Sequence, residues 1–480
     1  MTEQFPGDLL DLLEAAGDRP VFEHTGRSVT GAQLLASVRR VTAGLRERGV
    51  RRGDGVALLL GVSPEAFAAV IAAHVLGARV VGVRPGLTER QRAHLLRDVD
   101  HRVTDQVRDS GPPGAVLPLG DLLSAPDDGL RPRAEGRPGD VARLLHTSGS
   151  TGLPKACAQT YGAMTAAWAL RPAAWPPAVR ELAARLDRFL VFGTLASQVM
   201  MEYGLLTLAA GGTLVTAEPP AFPDAFVTHR ATASVITVAR LRKLVASQRD
   251  APVDLGSLRA LMVSGSPLEP RALTEAAEVL GPVVFHGYGQ TETGMISMAT
   301  PDAEPGSLGV PPVELEVRDG TGGPVPPGAE GELYARTAAQ AVGYWREPAL
   351  TAEVFTGGGW VRTRDLGRID AEGRLWLTGR TRDVIIVNAN VHYAGPVEQA
   401  LAAHPSVAEA YVVAVPDEDT GEAVHAFVVP APGHVPALGA LRAAVAERLG
   451  EASAPTRLTL IEEVPLTPTG KPDKRRLAAG

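Results

Sequence analysis

Apolar and polar residues along the first hundred positions alternate between two periods. Leu34, Leu35, Val38, Val41 and Leu45 recur at helical spacing, with Thr30 and Gln33 placed as a capping box and Gly49 as the stop. Residues 55–60 form an unbroken apolar run, as a strand buried on both faces requires. Ser63-Pro64 opens a second helix, residues 78–83 read as the next strand, and Thr88 with Gln91 caps a third helix. Strands alternating with helices predict a doubly wound parallel sheet. A Gly/Pro-rich stretch at 106–140 reads as irregular surface. The alternation then resumes, with strands expected at 188–193, 212–216, 233–237, 259–264 and 282–286. Short alternating runs among glycines and prolines between 305 and 378 predict antiparallel β structure. The last hundred residues read as a separate α+β unit, with strands at 408–414 and 423–429, helices near 395–403 and 436–449, and a basic tail.

Composition narrows the class. With 480 residues, 45% hydrophobic and 21% charged, the chain can bury a large core and should divide into two or more domains. A formal net charge of -7 and scattered Lys and Arg argue against a nucleic-acid partner. The apolar region around 55–83 is interrupted by Ser63, Pro64 and Glu65 and is too short on either side to span a bilayer. The N-terminus lacks a basic region followed by an apolar core, so a cytoplasmic location is expected. One cysteine, Cys157, excludes internal disulfides and is expected to be a small buried filler.

The chemistry concentrates in a few stretches. Residues 144–156 read LLHTSGSTGLPKA: an apolar lead, then Thr147, Ser148, Gly149, Ser150, Thr151 and Gly152, then Pro154 and Lys155. Glycines allow close backbone approach, hydroxyls add donors and Lys155 adds a positive charge, a combination that suits a polyphosphate. A flexible linker is the alternative, but it would not need Pro-Lys at its end. The spacing differs from the common P-loop. Further on stand Ser264-Gly265-Ser266-Pro267-Leu268, His286-Gly287-Tyr288-Gly289-Gln290-Thr291-Glu292, Trp360-Val361-Arg362-Thr363-Arg364-Asp365-Leu366-Gly367, Leu377-Thr378-Gly379-Arg380-Thr381-Arg382-Asp383, and Pro465-Leu466-Thr467-Pro468-Thr469-Gly470-Lys471.

In this order the motifs resemble those of the adenylate-forming superfamily, which includes acyl- and aryl-CoA synthetases, peptide-synthetase adenylation domains and luciferases. The resemblance covers essentially the whole chain. It implies a large N-terminal domain, residues 1–379, made of doubly wound sheets plus a distorted β-barrel. A hinge at 380–383 and a small mobile α+β domain at 384–480 would follow. ATP would be held by the 147–155 loop, by Gly265, Ser266 and Pro267, by Gly287, Tyr288, Gly289, Gln290 and Thr291, by Asp365 at the ribose, and by Arg380. Glu292, with Thr151, would hold Mg²⁺. Lys471 would be the catalytic lysine, with its charge between the attacking carboxylate and the α-phosphate. Arg364 stands where glycine is usual, and Arg382 takes the pivot position often held by Asp or Lys.

The resemblance further implies that a carboxylic acid is activated to an acyl-adenylate, pyrophosphate leaves, and the acyl group passes to coenzyme A. Asn388 and Ala389 replace a glycine-containing pair common near the thiol's path, which favours the alternative of an acyl-AMP ligase serving a carrier protein or an amine. His392 is a candidate base for the incoming nucleophile, against a packed or solvated histidine. A non-catalytic nucleotide-binding descendant is opposed by the intact Lys155, Glu292, Asp365 and Lys471. The acid pocket is expected along 192–204, 262–266 and 286–294, with Phe192, Leu195, Gln198, Val263, His286, Gly287 and Met295 lining it. No Asp stands in its first segment, and Glu202 is expected to face solvent or cap packing. An aryl or apolar acyl acid is therefore expected rather than an α-amino acid, with the chain acting as a stand-alone monomer or homodimer.

Overall fold

The computed structural model describes residues 3–83, 87–105, 115–147, 154–195, 197–217, 220–265, 268–381, 383–387, 390–417, 421–467 and 470–479. Its N-terminal part contains two large, mainly parallel sheets. One has eight strands in the order Gly294–Ala299, Val284–Gln290, Ala260–Ser264, Ala233–Thr237, Arg188–Val191, Thr213–Thr216, Pro20–His24 and Arg27–Thr30, antiparallel only at its two ends. The other has seven, in the order Gly343–Tyr344, Lys155–Thr160, Val141–Thr147, Arg79–Gly82, Gly55–Leu59, His101–Thr104 and Ala115–Pro118. Their facing surfaces share one core that includes Leu9, Phe22, Phe67, Phe189, Phe226 and Phe285.

Local signals build these layers. The helix Gly31–Glu47 starts at Thr30, whose hydroxyl accepts from Gln33 N while the Gln33 side chain accepts from Thr30 N, at 3.2 and 3.0 Å. Ser63 caps Pro64–Val75, a helix buried from Ala66 to Val75 and therefore apolar all round. The stretch expected to be irregular at 106–140 is partly regular: Ala115–Pro118 adds an edge strand and Leu119–Leu123 a helical turn, while 106–114 lie outside the described residues. Leu117, Leu119 and Leu122 are buried, and Leu122 packs so closely on Gly44 that a methyl there would lie 2.9 Å from its Cα. Packing overrides the weak local pattern.

The barrel-like part is a four-stranded antiparallel sheet, Glu314–Arg318, Gly331–Arg336, Val361–Ile369 and Leu375–Arg380. The C-terminal unit pairs Asn390–Tyr393, Val384–Val387, Gly421–Pro430 and Val407–Asp417, with Arg457–Leu460 parallel to Gly421–Pro430. Helices Ala394–Ala402 and Leu438–Leu449 bury Val397, Leu401, Leu441 and Val445 in its core. The C-terminal unit rests on the eight-stranded part through Arg242–Glu409 and Lys243–Glu463 ion pairs and through Arg271, which donates to Pro405 O. Among the described residues no helix is long and apolar enough to cross a membrane.

Arg364 adopts φ +62°, the left-handed conformation that glycine takes without steric penalty. Its carbonyl accepts from Thr381 N at 2.9 Å and its guanidinium pairs with Glu353. The left-handed conformation costs a residue with a Cβ about 1–2 kcal/mol, partly offset by the extra unfolded-state freedom of glycine. Arg364→Gly is therefore expected to raise the apparent melting temperature or leave it unchanged. Arg364→Val, β-branched at the same φ, should lower it.

Candidate active site

The strands of the eight-stranded sheet end in a row at one edge, where open α/β sheets place their ligand crevices. Thr237 and Gly265 stand at or just beyond the carboxyl ends of two adjacent parallel strands, and Gly287 follows His286, the last residue at which the third strand pairs with its parallel neighbour. The loop carrying Lys471 inserts here. Thr467 N donates to Lys471 O at 2.8 Å, Lys471 N to the Thr467 hydroxyl at 3.2 Å, and Gly470 N to Thr467 O at 2.8 Å, which closes a tight turn. Gly470 has φ +77°, and a methyl on it would lie 3.4 Å from Thr237 Cγ2. A methyl on Gly265, at φ +95°, would lie 3.6 Å from Lys471 Cε. Glycine at both positions lets the lysine enter between two strand ends. Ser266, Pro267, Pro468 and Thr469 lie outside the described residues.

Four charged groups act on one another here. The Lys471 ammonium is held below the ordinary lysine value by burial among protein atoms and by Arg380, against the pull of Asp365 and Glu292. Asp365 is buried at 4% exposure and accepts three hydrogen bonds. Tyr288 Oη donates to its Oδ2 at 2.8 Å, Gln290 Nε2 to the same oxygen at 2.7 Å, and Arg380 Nε to Oδ1 at 2.9 Å. Gln290 Nε2 also reaches Thr363 O at 2.8 Å. Tyr288 is thus almost wholly buried, with its hydroxyl engaged and its pKa pushed up by burial and then by Asp365. The glycine-flanked segment around it is strand, continuing through Gln290, rather than a turn. Thr291 and Glu292 follow at the strand end.

Glu292 Oε1 accepts from the Tyr344 hydroxyl at 2.5 Å, a partner that the motif reading missed because it lies 52 residues away in a short edge strand. The Lys155 ammonium lies 5.7 Å from the Tyr344 ring centroid. Across the hairpin Lys155 faces Thr147 in register, and its tip, with Ser148, Gly149, Ser150, Thr151 and Gly152, lies outside the described residues. Cys157 is fully buried, and burial followed by Glu292 drives its thiol far above its ordinary pKa, as an inert filler requires.

The expected acid-pocket residues fall into two groups. Val263 and His286 are neighbours in register, Gly287 follows, and Met295 lies opposite Gly289. Gln198 Nε2 approaches from the helix Gln198–Ala209 to 3.9 Å of a methyl placed on Gly294. Phe192 stacks edge-on with Phe222 and lies under the Arg240 guanidinium, while Leu195 lines a cavity deeper between the two sheets. Glu202 is expected from the sequence to face solvent or cap packing. It is partly buried on the same helix, and burial pushes its carboxyl up to about 7 against the opposing pull of Arg143. His392 is tied by Nδ1 to the Ser453 hydroxyl at 2.8 Å inside the C-terminal unit, with Nε2 buried and without a hydrogen-bond partner. Arg382, Asn388 and Ala389 lie outside the described residues.

The donor set fits a nucleotide triphosphate: cations at Lys155, Arg380 and Lys471, a buried carboxylate at Asp365, and glycine-lined approach at Gly265 and Gly287. It also leaves Glu292 facing the same region, as one carboxylate on a phosphate-bound Mg²⁺ requires. Among the described residues no group of three or more His, Cys, Asp or Glu is placed to hold a metal unaided. Asp365→Ala removes the common acceptor of Tyr288, Gln290 and Arg380. The expected loss is about 1–3 kcal/mol of stability, read as a lowered denaturation midpoint, together with weaker nucleotide binding by calorimetry.

Comparison with known proteins agrees with this geometry. Residues 12–345 match the family model for AMP-binding enzymes, and residues 396–471 match the AMP-binding enzyme C-terminal domain. A fatty acid–[acyl-carrier-protein] ligase of Streptomyces coeruleorubidus is 31% identical, covering 94% of this chain and 91% of its own. A feruloyl-CoA synthase of Amycolatopsis sp is 32% identical over 93% of both. The solved structure of an amide bond synthetase from Marinactinospora thermotolerans superposes with a TM-score of 0.86 at 34% identity, covering 98% of this chain and 99% of that one. With both of its parts matched and its motif residues gathered at one strand edge, the chain belongs to the AMP-binding enzyme family and is an AMP-forming ligase.

Proposed function

We propose that this enzyme activates an aryl or apolar acyl carboxylic acid with ATP and transfers it to the thiol of coenzyme A. The observation that carries the reading is the entry of Lys471 between Thr237 and Gly265, beside Arg380, Asp365 and Glu292. In the first step a carboxylate oxygen of the acid bonds to the α-phosphorus, the bond to the bridging oxygen breaks, and pyrophosphate leaves. Lys471 offsets the charge moving between carboxylate and α-phosphate, Thr291 donates to the α-phosphate, and Asp365 accepts from the ribose. Lys155 and the loop from Thr147 hold the departing pyrophosphate. Glu292 with Thr151 would hold Mg²⁺, which would supply charge neutralisation at the phosphates. Little covalent work is asked of the protein; position and field supply the rate.

In the second step the thiol sulfur bonds to the acyl carbon, AMP leaves and the thiol proton is released. The domain from residue 384 onward swings about 380–383 to admit the thiol, and His392 serves as base only if that motion uncovers its buried Nε2. A second reading, transfer to an amine or to a carrier-protein thiol, is favoured by the 34% identity to an amide bond synthetase along nearly the whole of both chains. The enzyme is placed in the cytoplasm as a monomer or homodimer.

Pyrophosphate release across aryl, fatty and amino acids, each with and without coenzyme A, hydroxylamine or an amine, tests both readings. Turnover with an aryl or acyl acid that rises with coenzyme A is expected; release that answers only to amine or hydroxylamine selects the second reading. Lys471→Ala should lower adenylation by 10²-fold or more while nucleotide still binds; full activity in that variant would sink the assignment. The depressed Lys471 pKa fixes a pH dependence. The ammonium is the working form and is lost at a lower pH than in free lysine. The alkaline limb of kcat/KM for adenylation should therefore fall below pH 10.5.

A further inference from the structure

Lys471 enters the crevice from the C-terminal unit, so its position there depends on how that unit docks. One helix of the N-terminal part carries most of the dock. Val238–Asp250 starts at Thr237, whose hydroxyl accepts from Arg240 N at 3.3 Å and whose Cγ2 lies against the Lys471 turn at Gly470. Arg242 stands five positions further on, about 8 Å along the helix axis. Its guanidinium pairs with Glu409 of the strand Val407–Asp417. The neighbouring contacts are open to water: Lys243 and Glu463 are 73% and 80% exposed, and the bond from Arg271 to Pro405 O is exposed as well. The Arg242 and Glu409 side chains are only 23% and 19% exposed, so their attraction is less screened.

Glu409 is joined to the lysine by packing. Tyr411 Oη donates to the Glu409 carboxylate, and the Tyr411 ring packs on a cluster of Val413, Phe427, Val464 and Leu477. Val464 precedes the Lys471 turn in the chain and Leu477 follows it, so a shift of Glu409 carries the turn with it. On the other side, Arg242 meets an excess of acid. Burial raises the Glu269 carboxyl above its ordinary pKa, Arg242 opposes that rise, and Glu398 of the C-terminal unit adds to it. Lys474 is already engaged by Asp383 and Glu398. Arg242 is thus the cation that offsets Glu409 and Glu269 where the two parts meet.

We infer that Arg242 and Glu409 are positioning residues for adenylation: their ion pair docks the C-terminal unit in the arrangement that places Lys471 in the crevice, and it breaks before that unit turns for the second step. The inference rests on the proposal that the unit swings between the two steps. A contact made in one arrangement and not in the other shifts the balance between them by its own free energy. Its loss should slow the step that needs Lys471 and spare the step that does not.

The test compares the full-length chain with Arg242→Glu, Glu409→Arg and the exchange of both. Two rates are read separately. One is single-turnover pyrophosphate release with the aryl or fatty acid that wild type uses fastest. The other is consumption of that acid's adenylate, supplied ready-made, with coenzyme A or an amine. Each reversal should slow the first by about tenfold and leave the second at or above the wild-type rate. The exchange restores opposite charges across the interface and should recover the first. A fall in both rates together, or no fall in the first, would overturn the inference.

A second measurement needs no acid. Cys157 is fully buried, so Val310→Cys and Val435→Cys, at positions 62% and 84% exposed on the two parts, can carry a pair of dyes. ATP should gather wild type into one narrow population of energy-transfer efficiency and leave each reversal variant divided, with the exchange gathered again. Identical populations in wild type and reversal variants would overturn the inference. Absence of pyrophosphate release with every acid would instead strike the adenylation reading, and the dye populations would still decide this one.

Discussion

The Asp365 carboxylate is the point on which the site's geometry depends. It receives donors from Val284–Gln290 of the eight-stranded sheet and from Arg380 at the end of Leu375–Arg380, while itself belonging to Val361–Ile369. One buried acid thus fixes the sheet that carries the crevice, the antiparallel sheet beside it, and the start of the chain's passage into the C-terminal unit. Three donors on two oxygens hold the carboxylate in one orientation; Oδ2 is filled by Tyr288 and Gln290, and Oδ1, bonded only to Arg380, keeps capacity for a further bond. That is the condition for a rigid acceptor: orientation supplied by protein, the remaining lone pair offered to a ligand.

The arrangement around Lys471 is held in a different manner. Its tight turn is internal to the loop, while the ion pairs that seat the C-terminal unit are mixed: Arg242–Glu409 is largely shielded and Lys243–Glu463 lies on the surface. Lys243 and Glu463 are 73% and 80% exposed, and pairs of that kind contribute about 0–1 kcal/mol. Lys474, three residues after Lys471, is tied at 2.8 Å to both Asp383 and Glu398, all within the segment from 383 onward. The loop is therefore tied to its own unit by Lys474, and the unit is tied to its neighbour by a few polar contacts. Such a division suits a unit that moves as one body and carries the lysine out with it, as the proposed swing requires.

Much of this was legible in the chain. Capping boxes at Thr30 and Thr88, the apolar runs that became parallel strands, and the motif residues Asp365, Gln290 and Lys471 all depend on local spacing. What escaped depends on distance. Tyr344 reaches Glu292 only because a two-residue strand pairs with Lys155–Thr160 at the sheet edge. Glu202 gives no sign of its setting because its sequence neighbours do not show that Arg143, 59 positions earlier, acts on its carboxyl. Ala115–Pro118 is only four residues long and lies among glycines and prolines, yet it pairs at the sheet edge and leads into the helix whose Leu122 packs on Gly44. Arg364 shows the converse: glycine's usual place in the motif indicates a backbone conformation, and the arginine adopts that conformation anyway.

The charges gathered at the crevice also bear on what must accompany the nucleotide. Lys155, Arg380 and Lys471 bring three positive charges against two from Asp365 and Glu292, and Asp365 is already matched by Arg380. Cys157 contributes none, since burial beside Glu292 keeps its thiol protonated. The protein's surplus is therefore about one charge, while a triphosphate brings close to four. Protein cations alone would leave the pyrophosphate poorly neutralised as it departs. A divalent cation, which under the proposed reading Glu292 would hold with Thr151, would close that gap, and magnesium, which keeps most of its waters and needs few protein oxygens, would suit it.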